Sequence, residues 1–303
     1  MKNTTRRAFL QAAGWLSPTL LAPTLLAGGL MADPVRAETD LPSKPGDTYD
    51  THAVGIRIYP GRWRPHYPWE HIAWVSPPWP SQDYLWLDFP EAIFTSQGLI
   101  YLSHINPPIH TVYPSLPRVP WKKVSGGIGF DRTLPNNISF GGRVTRGVGP
   151  TVDLELHISN ESQQELTQIT LQTCTFLRSI QEFADYSQDN KFVHTPATGW
   201  TPMQVASTSK EVAGDYRVGW RTSGKLVADL PCAVVISNRA KRLVAMTWFK
   251  DTLSLVGNPG HPCFHADPKF PDLPSGASAS IRGKLIFFDG PLADFEFQNF
   301  CDH

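Results

Sequence analysis

The chain has 303 residues, 41% of them apolar and 11% aromatic, with 27 basic residues against 27 acidic. That is enough apolar material for one large core or two small ones. A balanced charge with no Lys/Arg block removes the electrostatic basis for nucleic-acid binding.

In chain order, Thr5-Arg6-Arg7-Ala8-Phe9-Leu10-Gln11 comes first. It resembles the twin-arginine export signal, with Gln11 where that pattern carries Lys. An apolar stretch from Ala12 to Ala32 follows, and Val35-Arg36-Ala37 offers a small-residue cleavage site. The alternative is a membrane anchor, but Pro18, Pro23, Gly28 and Gly29 dilute the stretch. The expectation is a signal over residues 1–37, cut after Ala37, with Arg6 and Arg7 read by the twin-arginine translocase. The mature protein is then periplasmic or secreted, with no membrane span after cleavage. Removing residues 1–37 takes away Lys2, Arg6, Arg7, Arg36 and Asp33, leaving 23 basic and 26 acidic residues. This export route carries folded proteins, some with a cofactor already inserted, which raises the expectation of a bound metal.

Residues 38–50 are polar and aperiodic and read as a flexible linker. Residues 51–303 read as one domain written in strands. Alternation is clearest at Val152-Asp153-Leu154-Glu155-Leu156-His157-Ile158, with the apolar set facing a core. Similar runs cover 53–59, 84–89, 99–105, 138–146, 166–177, 232–237, 243–249 and 281–288, separated by Gly/Pro/Ser/Asn turns. Phe176, Ile180 and Phe183 at i, i+4 and i+7 predict one short helix over 176–186. The fold class expected is all-β, an antiparallel β-sandwich with one short helix and long Pro-rich loops.

Nucleotide, zinc-protease and hydrolase signatures are absent: no G-x-x-x-x-G-K-[ST], H-E-x-x-H, G-x-S-x-G or C-x-x-C occurs. Three features remain. Trp63, Trp69, His71, Trp74 and Trp79 lie among prolines, and rings displayed on loops stack on sugar faces. The same rings can instead seal one end of a sandwich. His157, Glu155 and Arg143 fall on non-core positions of adjacent strands, as a general base, a partner acid and a carboxylate-binding group for acid–base chemistry on a sugar. Otherwise they form a solvated face.

The third feature is His261, Cys263, His265 and Asp267, at every second position of NPGHPCFHADP. Imidazole, thiolate and carboxylate suit Cu, Zn or Fe, with His104, His110 or His194 as a distant completing ligand. A structural loop is the alternative, as is a disulfide. Cys174, Cys232, Cys263 and Cys301 allow three pairings, and Cys301 can staple the tail to Cys263.

The run from Val152 to Leu177, with the preceding ISFGGRVTR, resembles the middle of galactose-mutarotase-like β-sandwiches over about forty residues. In that family an alternating strand ends in an Asn-bearing turn and the next strand carries the catalytic surface. The family's Asn-His-x-Tyr-Phe-like run corresponds here to Thr173-Cys174-Thr175-Phe176, without the His. The resemblance therefore implies a shared fold rather than ordinary mutarotase catalysis, and fold alone does not choose among epimerases, lyases and glycan-binding domains. The expected function is that of an exported glycan-processing enzyme of lyase, hydrolase or epimerase type. The alternatives are a non-catalytic glycan-binding protein and a periplasmic metalloprotein.

Overall fold

The computed structural model describes residues 55–64, 67, 69–81, 83–104, 109–210 and 212–301. The signal residues Arg6 and Arg7, the cleavage point after Ala37 and the 38–50 linker lie outside them. The described chain alternates between two sheets. β1 (Ile58–Gly61), β2 (Ile72–Val75), β3 (Leu85–Thr95) and β4 (Gly98–Leu102) open the first. β5 (Lys122–Val124), β6 (Gly127–Thr133), β7 (Ile138–Arg146) and β8 (Thr151–Asn160) form a meander in the second. β9 (Thr170–Phe176) returns to the first, and β10 (Lys191–Thr195) and β11 (Gly199–Pro202) to the second. After α1 (Met203–Thr208), β12 (Tyr216–Val218) and β13 (Lys225–Ala228) edge the first sheet. β14 (Cys232–Ile236) and β15 (Leu243–Thr247) join the second, β16 (Thr252–Gly257) and β17 (Cys263–Pro268) the first, and β18 (Ser278–Phe288) the second.

The first sheet runs β1-β2-β3-β9-β17-β16-β12-β13, with β4 also on β3; the second runs β11-β10-β14-β15-β18-β8-β7-β6-β5. Pairing is antiparallel except between β12 and β16. The period-2 pattern explains the sandwich. Val152, Leu154, Leu156 and Ile158 of β8 are all buried, as are Leu85, Leu87 and Phe89 of β3, and all of them belong to one core. The sheets approach closely where Phe89 lies over Gly142, since a Cβ at Gly142 would stand 2.6 Å from that ring. The cooperative burial of these facing rows is the main stabilising term.

The helix expected over 176–186 does not form. Phe176 ends β9, and Leu177, Ile180 and Phe183 close successive turns through Ile180 N–H to Leu177 O and Phe183 N–H to Ile180 O, each 2.9 Å. The apolar spacing there reflects three buried side chains in a turn, a pattern that helical periodicity imitates. The one α-helix among the described residues is α1, six residues long. The Cys263–Cys301 staple is also overturned. Cys263 packs with Cys174, whereas Cys301 packs with Cys232 in a separate cluster.

The Asn-bearing turn after β8 is a structural node. Asn160 is fully buried, and its Nδ2 donates to Gln164 O and Leu273 O at 2.8 Å each. Its Oδ1 accepts from the Ser162 hydroxyl at 2.6 Å. It ties the β8–β9 connection to the segment before β18.

Candidate functional site

The outer face of the first sheet carries two side-chain rows that follow from strand register. Tyr59 of β1 pairs with Trp74 of β2, Trp74 with Trp86 of β3, Trp86 with Phe176 of β9, and Phe176 with Cys263 of β17. An aromatic strip thus crosses four strands, and Tyr59, Trp74 and Trp86 are half-buried. Trp74 lies over Gly61, where any Cβ would collide with the indole. In the next row Asp88 pairs with Cys174, and Cys174 with His265. A charged, a thiol and an imidazole side chain therefore stand side by side beneath the aromatic strip.

Trp63 and Arg64 fold over these rows and are pinned by Glu70, whose Oε1 accepts the N–H of Trp63 at 2.8 Å and of Arg64 at 2.7 Å. Arg64 then bridges Glu70 and Asp88 at 3.2 and 3.3 Å. Ser103 Oγ donates to Asp88 Oδ2 at 2.7 Å, which leaves its oxygen to accept from His104 Nδ1 at 3.0 Å. That chain turns the other imidazole nitrogen, as a lone pair, away from Ser103. Between Asp88 and Ala92 the β3–β9 register shifts, a bulge that aims Glu91 at the same place. Ligand atoms of Asp88, Glu91 and His104 lie within 4.8 Å of one another.

The electrostatics are those of a poorly solvated site. Burial pushes Asp88 up to about 7 against the opposing Arg64 charge, and burial also raises Glu91. Burial, with Arg64 and His261 behind it, drives His104 down to about 3, so its ring is neutral. Asp88 Oδ1 has no hydrogen-bond partner among the described residues.

β17 and the turn before it contribute a second group. His261 Nδ1 stands 3.0 Å from Cys263 Sγ, which is 3.7 Å from His265 Nε2; His265 Nδ1 is 3.2 Å from Asp267 Oδ1. The expected alternation is real: Cys263, His265 and Asp267 share one face and are all buried. Thr173 N–H donates to Asp267 Oδ1 at 3.0 Å and fixes the carboxylate. Burial alone would lower His265, but Asp267 and Cys174 raise it well above its ordinary value. The bond to Cys263, and burial behind it, raise the Cys174 thiol.

The structure separates the sequence-expected residues. Trp63 and Trp74 stand on the outer face; Trp63 is stacked on Phe176 at 4.6 Å with the Arg64 guanidinium 4.0 Å over its ring. Trp69, His71 and Trp79 are corrected to core residues. Trp69 Nε1 donates to Leu102 O at 3.0 Å, and Trp79 packs edge-on against Phe287 at 5.7 Å. His71 is 0% exposed, stacked on Phe130 at 3.6 Å, with burial and the Arg132 charge driving its pKa down to about 3.

His157, Glu155 and Arg143 share the outer face of the second sheet, away from this cluster. Arg143 clamps Asp131 at 3.0 and 3.1 Å, and His157 Nε2 reaches the same carboxylate at 3.0 Å. Gly141 lies between them because a Cβ would stand 2.5 Å from the His157 ring. Glu155 is flanked by Arg143 and Arg282 and lines a shallow cleft of about 320 Å³ with Lys284. His194 is held by Asp229 at 2.7 Å, so of the distant imidazoles named above His104 comes near and His194 does not.

The sequence reading does not single out Asp88 or Glu91 as site residues, and it takes Cys174 as a disulfide candidate. One signal was available: in YLWLDF, Trp86 and Asp88 alternate against Leu85, Leu87 and Phe89, which puts an aspartate on a tryptophan-bearing face.

The fold defines an all-β protein of two packed sheets. No family model matches the chain, and no curated protein matches it in sequence. Among solved structures, a GalM/aldose epimerase homologue from C. elegans is similar to it. The two are 8% identical with a TM-score of 0.35, over 78% of this chain and 100% of that one. The architecture rests on the strand pairings themselves.

Proposed function

We propose that the protein is an exported carbohydrate-active enzyme working on the outer face of its first sheet. One observation carries the reading: the half-buried aromatic strip Tyr59-Trp74-Trp86 lies in register beside the Asp88-Cys174-His265 row, with Glu91 and His104 at its edge. The strip presents aromatic surface to sugar C–H faces, and Glu91, raised above its ordinary value by burial, is the acid–base group beside it. His104, neutral and oriented through Ser103 and Asp88, then hydrogen-bonds the sugar. Proton removal and return of this kind underlies both lyase and epimerase chemistry. A non-catalytic glycan-binding protein is the second reading, favoured by the aromatic strip taken alone.

The test separates binding from turnover on a panel of polysaccharides. Trp74→Ala/Trp86→Ala should lose retention on the immobilised glycan. Glu91→Gln should keep retention and lose turnover by 100-fold or more, the ordinary worth of a positioned acid–base group of about 10²–10⁴. Wild-type turnover in Glu91→Gln would refute the assignment. Loss of turnover in His157→Ala instead would move the chemistry to the second sheet. Retention with no turnover in the wild type would leave a binding protein.

A further inference from the structure

Cys174, Cys263 and His265 have no role in the proton transfer above, yet they form a buried set on the outer face. Their Sγ, Sγ and imidazole nitrogen atoms all lie within 4.8 Å of one another, and the three residues are 3%, 1% and 1% exposed. We propose that they bind a thiophilic transition-metal ion, zinc or copper, with Asp267 as the group that orients the imidazole. The inference stands independently of the carbohydrate reading.

Three observations carry it. The first is spacing. In a tetrahedral site with metal–sulfur bonds of about 2.3 Å and metal–nitrogen bonds of about 2.0 Å, neighbouring ligand atoms sit roughly 3.3–3.8 Å apart. Cys263 Sγ and His265 Nε2 are already at 3.7 Å. The whole set needs a contraction of about 1 Å at most.

The second is the imidazole tautomer. Asp267 is anchored by the Thr173 N–H and accepts from His265 Nδ1. A metal displaces the proton from Nε2, and the neutral ring, held through Nδ1, then turns its Nε2 lone pair toward the sulfurs, the carboxylate–histidine–metal arrangement that raises ligand basicity. Trp220 packs edge-on against the same ring at 5.4 Å, and Phe176, Trp63 and Trp86 wall the thiols from solvent.

The third observation argues against a disulfide. Cys174 is opposite His265, and Cys263 is opposite Phe176, so the two cysteines are diagonal neighbours across antiparallel strands. Diagonal positions lie about 7–8 Å apart, whereas a disulfide takes Cα atoms about 4.4–6.8 Å apart. Two sulfurs bridged by a metal, about 3.8 Å from each other, fit that register without moving either central strand. His261, half-buried with Nδ1 3.0 Å from Cys263 Sγ, stands next to the thiols as the remaining donor.

The experiment uses the full chain, reduced, stripped with a chelator and titrated separately with Zn(II), Cu(I) and Co(II). One equivalent of metal should bind, Co(II) should show thiolate charge-transfer absorption, and Cys174 and Cys263 should become protected from alkylation. Cys174→Ser and Cys263→Ser should each abolish that absorption and weaken binding at least tenfold. Cys232→Ser, in the other cluster, should behave as wild type. Should a serine variant fail to fold, alkylation mapping of the wild type decides the matter: protection confined to Cys174 and Cys263 supports the site. Substoichiometric binding, unchanged absorption in Cys174→Ser, or a Cys174–Cys263 disulfide in protein isolated from its native compartment would overturn it.

Discussion

His71 makes a sharp test because display to solvent and burial predict opposite titrations. The structure buries it against Phe130 and Trp121, with Nε2 3.0 Å from Val119 O and Arg132 as the charged neighbour acting on it. Its pKa falls from 6.5 to about 3, so the ring is neutral in the fold and protonates far more readily in the open chain. The stability it contributes is complete above pH 6.5 and is lost as pH falls from 6.5 through 3. Each pH unit in that window is worth about 1.4 kcal/mol, which gives about 2.7 kcal/mol lost by pH 4.5. His71→Phe removes the titration at the cost of about 1 kcal/mol for the lost hydrogen bond. Urea unfolding followed by tryptophan fluorescence at pH 7.5, 6, 5 and 4.5 measures both proteins. The variant should begin slightly less stable and gain about 2–3 kcal/mol on the wild type by pH 4.5. Parallel stability curves would refute the burial argument and restore His71 to a solvent-facing role.

Two further outcomes follow from the same reasoning. Asn160→Ala leaves Gln164 O, Leu273 O and the Ser162 hydroxyl without their buried partner, and should cost about 2–4 kcal/mol in urea denaturation. Burial alone would raise Asp131, but Arg143 and His157 outweigh it and hold the carboxyl below its ordinary value. Its stabilisation is therefore present above the ordinary aspartate pKa and lost as pH falls through the depressed one. Because Asp131 is half exposed, Asp131→Asn should cost under about 1 kcal/mol at low salt, a difference that vanishes in 0.5 M salt (about a 4 Å screening length).

Period-2 patterning let the sequence by itself determine the strands, the two-sheet class and the inward rows. β7 spans the 138–146 run residue for residue, and β8 extends the 152–158 alternation at both ends. It also placed Cys263, His265 and Asp267 on one face, since alternation along a strand is a local property. It misread the helix over 176–186, because three buried residues in a turn imitate helical spacing. It misread Trp69, His71 and Trp79 as well, because proline-rich context says nothing about what folds over a loop. Only the tertiary structure decided which strands are neighbours. The β3–β9–β17 order brings Asp88, Cys174 and His265 together from positions up to 177 residues apart. That order is set by how two sheets share one core, a long-range choice that no local period encodes.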